Sequence, residues 1–128
     1  MLETLKCYII EDEPLAAEQL QSYICQHKDL KFLGHTDYIG DPDDFIKEVW
    51  KADILFLDIQ IGGGNIEQLE KELEAVPFIV VTSALSPSSY PSFINEREYF
   101  ILRKPTTLEV FERCIQRIIE RIHVDVQP

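Results

Sequence analysis

Two spacings of apolar residues alternate along this chain. Leu5 to Ile10 is a short, largely apolar run that stops at Glu11-Asp12-Glu13-Pro14. Such a run predicts a buried strand, and the proline suits the first turn of a following helix. Leu15, Ala16, Leu20, Tyr23 and Ile24 then recur at helical spacing through about Gln26. Lys31 to Tyr38 predicts a second strand, with Phe32 and Leu33 as its apolar part. Asp41-Pro42-Asp43-Asp44 predicts a helix start, because acids favour the positive end of a helix dipole. Phe45, Val49 and Trp50 supply that helix with an apolar stripe. Asp53-Ile54-Leu55-Phe56-Leu57 predicts a third strand, apolar on both faces, as in a parallel sheet covered by helices on both sides. Ile66, Leu69 and Leu73 mark a third helix, and Phe78 to Val81 a fourth strand. Pro87 and Pro91 break the stretch from Ser86 to Glu98 and leave a short helix around Ser92 to Glu96. Tyr99 to Leu102 predicts a fifth strand. Leu108, Phe111, Cys114, Ile115, Ile118, Ile119 and Ile122 predict a final amphipathic helix. Strands alternating with helices in this way predict an α/β fold: a doubly wound five-stranded parallel sheet with helices on both faces.

Composition narrows the picture. The chain has 128 residues, 45% of them hydrophobic and 10% aromatic, enough for the core of one domain and too apolar for disorder. That domain is expected over residues 1–123. Val124 to Pro128 reads as a frayed end or the start of a linker to an output domain. The net charge of −11, from 23 acids and 12 bases, argues against direct contact with nucleic acid and suits a cation site or a basic partner. No apolar run approaches the roughly 20 residues of a membrane span. Met1-Leu2-Glu3-Thr4 lacks the basic start of a signal peptide, so a cytoplasmic address is expected. Cys7, Cys25 and Cys114 form no C-x-x-C pair and read as small core residues in a reducing compartment. His27, His35 and His123 share no ligand spacing and read as surface or structural residues.

In an open α/β sheet, ligands bind beyond the carboxyl ends of the strands. The residues at those ends are Glu11 and Asp12 after strand one, Asp58 after strand three, Thr82 and Ser83 after strand four, and Lys104 after strand five. Three converging carboxylates need a counterion, and Mg²⁺ accepts hard oxygen ligands while keeping several waters. A carboxylate can attack phosphorus, and a metal and an ammonium would neutralise charge on the transferring group. Singly, an Asp after a strand is often a helix cap and a Lys-Pro pair a turn. Four such signals at four strand ends are harder to dismiss.

These stretches resemble the receiver domains of two-component response regulators over nearly the whole chain. The resemblance rests on Tyr8-Ile9-Ile10-Glu11-Asp12-Glu13-Pro14-Leu15-Ala16, Ile54-Leu55-Phe56-Leu57-Asp58-Ile59-Gln60, Thr82-Ser83-Ala84 and Lys104-Pro105. The E-D-E-P-L-A and L-F-L-D-I-Q wording is that of regulators with a LytTR DNA-binding domain behind the receiver. The resemblance implies a flavodoxin-like strand order of 2-1-3-4-5. It implies Asp58 as phosphoacceptor, Asp12 as a direct Mg²⁺ ligand, Glu11 acting on the metal through water, and the backbone carbonyl of Gln60 as a further ligand. Ser83 would be the switch hydroxyl and Lys104 the cation on the phosphoryl group. A histidine kinase would be the donor, and a C-terminal DNA-binding domain controlling transcription the output. Such a domain catalyses its own phosphorylation and dephosphorylation without being a conventional turnover enzyme.

Three departures from the family pattern stand out. Ile61-Gly62-Gly63-Gly64 replaces the usual Met-Pro-Gly, and its glycines predict a more flexible loop. Ile101 stands where an aromatic switch residue is usual, with Tyr99 two residues earlier. Pro87 and Pro91 interrupt the usual fourth helix, part of a common pairing face. A monomer is therefore expected before phosphorylation, and a dimer at most after it. Readout is expected in the loop from Ala84 to Tyr90. Two rival chemistries fail on single residues. A dehalogenase-type phosphatase needs a second acid where Gln60 stands, and a flavodoxin phosphate loop would be repelled by Glu11-Asp12-Glu13. A pseudo-receiver that binds partners without phosphorylation remains the open alternative.

Overall fold

The computed structural model describes residues 4–126, with side chains through residue 123. Five parallel strands form one sheet: β1 (Leu5–Ile10), β2 (Leu30–Thr36), β3 (Ile54–Leu57), β4 (Phe78–Val81) and β5 (Phe100–Ile101). Their order is β2-β1-β3-β4-β5, the order expected from the sequence. The helices are α1 (Pro14–Gln26), α2 (Ile46–Lys51), α3 (Glu70–Leu73), α4 (Ser92–Asn95) and α5 (Leu108–Val126). Short 3-10 turns at Pro42–Asp44, Ile66–Leu69 and Pro87–Ser89 precede α2, α3 and α4.

Side chains alternate across the sheet, and each set feeds its own core. Cys7, Ile9, Ile54, Phe56 and Val80 pack with Leu20 and Ile24 of α1 and with Phe111, Ile115 and Ile118 of α5. Tyr8, Ile10, Leu55, Leu57, Ile79 and Val81 pack on the other face against residues of α2, α3 and α4. The central strand β3 is fully buried, which is why it reads as continuously apolar. The ring of Phe56 stacks on Phe111 at 5.8 Å between centroids and clamps β3 to α5. Burying a side chain of that size is worth about 1.5–3 kcal/mol.

The structure corrects several sequence expectations. Leu15 is 76% exposed and Trp50 56% exposed, so neither belongs to a core stripe. Cys25 is exposed rather than in the core. The second strand begins at Leu30 and ends at Thr36, and the fifth is only two residues long. Helix α5 continues through Val126, past the point where fraying was expected; Gln127 and Pro128 lie outside the described residues. The third helix is a 3-10 turn followed by a single α-turn. Arg97 ties down the segment after it, donating to the carbonyls of Leu73 at 3.2 Å, Val76 at 2.8 Å and Pro77 at 3.2 Å.

The glycine loop is pinned rather than loose. Ile39 donates its N–H to the Gly62 carbonyl at 2.9 Å, and Gln68 Nε2 donates to the Ile39 carbonyl at 3.1 Å. Gly63 has φ +100°, and a Cβ there would meet the Gly40 nitrogen at 2.5 Å. The glycine serves close backbone approach. Gly63→Ala should therefore lower stability by more than the roughly 1–2 kcal/mol that left-handed backbone alone costs. Urea unfolding of the variant against the parent measures the difference, and a change within about 0.5 kcal/mol, the usual surface-substitution range, would remove this account of the loop.

Candidate functional site

The site forms where β1, β3, β4 and β5 end. Asp58 follows β3 directly, and its N–H donates to the Ile10 carbonyl at 2.9 Å, which extends the sheet pairing to this residue. Asp58 is 4% exposed, and its carboxylate faces an acidic pair from the β1 end. Glu11 is fully buried, while Asp12 is exposed. Glu11, Asp12 and Asp58 each offer a carboxylate oxygen, all within 4.8 Å of one another.

Lys104, delivered by the turn after β5, holds this charge together. Its Nζ lies 2.9 Å from the Glu11 carboxylate, 3.2 Å from Asp58 Oδ2 and 3.5 Å from Glu13 Oε2. The peptide bond from Lys104 to Pro105 is cis. Burial works to lower the Lys104 pKa, but the Glu11 and Asp58 carboxylates outweigh it and raise the pKa above the ordinary lysine value. Burial and the neighbouring Asp58 push the Glu11 carboxyl up to about 7, against the Lys104 contact that lowers it. Thr82 Oγ1 donates to Glu11 Oε1 at 3.4 Å, and the Glu13 N–H donates to Glu11 Oε2 at 3.1 Å.

The structure thus brings Glu11, Asp12, Asp58 and Lys104 together as the sequence predicted. The N–H of Gln60 donates to Asp58 Oδ1 at 3.0 Å, which holds Gln60 beside that carboxylate. Ser83 is buried but turned elsewhere: its Oγ accepts the Leu85 N–H at 3.1 Å. Sequence reasoning missed Glu13 as an ion-pair partner. It missed also that His35 Nε2 lies 2.7 Å from the Glu11 backbone carbonyl, tying the β1–α1 loop to β2. The third acid in Glu11-Asp12-Glu13 was the only signal for the first, and no spacing signals the second. Three hard oxygen donors this close fit a small divalent cation, whose opposite ligands stand about 4.2 Å apart at the usual Mg²⁺–oxygen distance.

No family model matches the chain. At the level of whole sequences, the chain is 26% identical over 113 residues to the sensory transduction protein LytT of Enterococcus faecalis, covering 85% of this chain and 46% of that protein. It is 28% identical over 118 residues to the transcriptional regulatory protein BtsR of Escherichia coli, covering 89% of this chain and 48% of that protein. The chain thus spans about half the length of the curated relatives it matches. Among solved structures it is similar to the response regulatory domain of protein mrkE from Klebsiella pneumoniae, at TM-score 0.71 and 26% identity, covering 91% of this chain and 97% of that one. The signal receiver domain of a DNA-binding response regulator from Colwellia psychrerythraea superposes at TM-score 0.71 with 19% identity, over 91% of this chain and 98% of that one. The fold and the likeness together are those of a response-regulator receiver domain. In this chain the acidic pocket and its lysine occupy the strand ends that the fold makes available to ligands.

The raised Glu11 pKa has a signed consequence for stability. In the unfolded chain a glutamate titrates near 4.3. The folded protein binds that proton up to about pH 7. The contribution is therefore fully present below about 4.3 and lost as pH rises through the folded value. In metal-free buffer, the parent should lose stability relative to Glu11→Gln as pH rises from about 4.3 to about 7. Parallel stability–pH curves for the two proteins across that window would contradict the assignment.

Proposed function

We propose that this receiver accepts a phosphoryl group on Asp58 from a histidine kinase, with Mg²⁺ held by Asp12, Asp58 and the Gln60 carbonyl, and with Glu11 acting through water. The observation that carries this reading is the Asp58 carboxylate set against Lys104 Nζ at 3.2 Å beside the Glu11-Asp12 pair. In transfer, an Asp58 carboxylate oxygen bonds to phosphorus as the phosphorus–nitrogen bond of the donor phosphohistidine breaks. The imidazole keeps the electron pair and takes up a proton. When bound, the metal would offset negative charge on the transferring group. Lys104 does the same from the side of β5, where its ammonium is already fixed by carboxylates. Ser83 donates a hydrogen bond to a phosphoryl oxygen after turning from Leu85. Phosphorylation adds roughly −1.5 to −2 charge, which makes these cations necessary rather than incidental.

The name of BtsR, a transcriptional regulatory protein, and that of the DNA-binding response regulator from Colwellia psychrerythraea support an output in transcription through a DNA-binding domain. Direct contact of this domain with DNA is disfavoured by its net charge of −11. Among the described residues no helix is long and apolar enough to cross a membrane. A cytoplasmic site of action, shared with the kinase's catalytic side, fits this reading. So does a monomer before phosphorylation, since α4 is a single turn and offers little surface for pairing.

Incubation with acetyl phosphate and Mg²⁺ should add one phosphoryl mass to the intact protein, mapped to Asp58 by peptide mass spectrometry. Asp58→Ala should stay unmodified. A parent protein that also stays unmodified would leave the pseudo-receiver reading in its place. Independently, Mg²⁺ at about 100-fold over its Kd should add about 2.7 kcal/mol of stability and raise the Tm. Asp12→Ala should lose most of that increment. An Asp12→Ala protein stabilised by Mg²⁺ as much as the parent would remove Asp12 from the metal site.

A further inference from the structure

Resting on the reading that Asp58 accepts a phosphoryl group, we infer that Tyr90 carries the aromatic part of the switch that residue 101 lacks, coupling Ser83 to the α4–β5 surface through Leu85.

Leu85 is held at both ends of its residue. Its N–H donates to Ser83 Oγ at 3.1 Å, and its carbonyl accepts the Tyr90 hydroxyl at 3.4 Å. The Tyr90 ring is buried and meets Tyr99 edge-on, with centroids 5.8 Å apart and planes at 68°. The Tyr99 hydroxyl donates to Asn95 Oδ1 at 3.1 Å. Asn95 Nδ2 reaches back to the carbonyls of Pro87 at 3.1 Å and Tyr90 at 3.5 Å. One connected set of contacts therefore runs from the β4 end to α4 and to the approach to β5.

The coupling follows from where each hydrogen bond would go. A serine hydroxyl carries a single oxygen, and turning it toward a phosphoryl group on Asp58 takes that oxygen away from Leu85. A part-buried N–H left without a partner is costly, so Leu85 follows the hydroxyl or its turn rearranges. Either movement displaces the Leu85 carbonyl. The Tyr90 hydroxyl sits on that carbonyl through a bond already long for an O–H donor, and it is the contact most easily broken. The ring then shifts against Tyr99. Tyr99 and Ile101 pack against the same core as Tyr90, so the displaced ring changes how both are supported. Tyr99 and Ile101 also line a groove of about 380 Å³ with Val110, Arg113 and Arg117, in which Arg113 is paired with Glu109 at 3.4 Å. The change at Asp58 is thereby delivered to this groove between β5 and α5. Ile101, an aliphatic side chain, has no ring or hydroxyl with which to do this.

Fluorine NMR of the fluorotyrosine-labelled protein tests the inference, with each resonance assigned by a Tyr→Phe variant. Mg²⁺ and beryllofluoride, a mimic of the phosphoryl group, supply the activated state, and bound beryllofluoride gives its own fluorine signal. The expected result is a shift of the Tyr90 and Tyr99 resonances on binding, with Tyr8 and Tyr23 unchanged. In Tyr90→Phe, beryllofluoride should still bind while the Tyr99 shift is largely lost. Bound beryllofluoride with stationary Tyr90 and Tyr99 resonances would overturn the inference and leave Asp58 as acceptor. A full Tyr99 shift in Tyr90→Phe would overturn it too. Absence of any bound beryllofluoride signal would overturn both the acceptor reading and the inference.

Discussion

The ammonium of Lys104 set against two buried carboxylates is the constraint on which the rest of this structure depends. Glu11 and Asp58 are both removed from water, and they stand close enough to repel. Uncompensated buried charge of that kind costs several kcal/mol per ion. Lys104 meets both carboxylates within 3.2 Å, and burial together with Asp58 holds Glu11 up to about 7. The protein keeps the pair because the same burial makes Asp58 useful. A carboxylate with few waters to shed, facing a fixed cation, is arranged for negative charge to arrive. The fold holds that geometry: four parallel strands end on one edge, with Glu11, Asp58 and Thr82 directly after β1, β3 and β4 and Lys104 three residues after β5.

Much of this was legible in the sequence because it depends on period and position. The two apolar spacings give the strand and helix order, and the all-apolar Ile54–Leu57 run gives a strand buried on both faces. Once the sheet is parallel, the residue after each strand is a site residue by topology alone, and so Glu11, Asp12, Asp58 and Lys104 could be named. What was not legible depends on partners distant in sequence. Leu15 fits the spacing of the α1 stripe yet points to solvent, because spacing marks a helix without fixing which edge of its stripe is covered. Trp50 is exposed for the same reason, at the end of a helix only six residues long. The glycines at 62–64 looked like slack. Their role appears only when the backbone of residues 39 and 40 is seen against Gly63.

The same distinction separates the chemistry of the site from its readout. The candidate site residues are set by strand ends, and strand ends survive changes in the helices that cover the sheet. The readout depends on packing in the least regular part of the chain, between β4 and β5. There Pro87 and Pro91 leave a 3-10 turn and one α-turn in place of a long helix. A long helix moves as a rigid body and needs a side chain at its edge to report the movement. A chain of short turns tied by single hydrogen bonds moves piecewise, and a buried ring inside it can report directly. Tyr90 is such a ring, held by the carbonyl of a residue whose amide rests on Ser83. The aliphatic Ile101 and the short α4 then belong together: with no long helix beside β5, the ring proposed to report on Ser83 sits upstream, in the loop between β4 and α4.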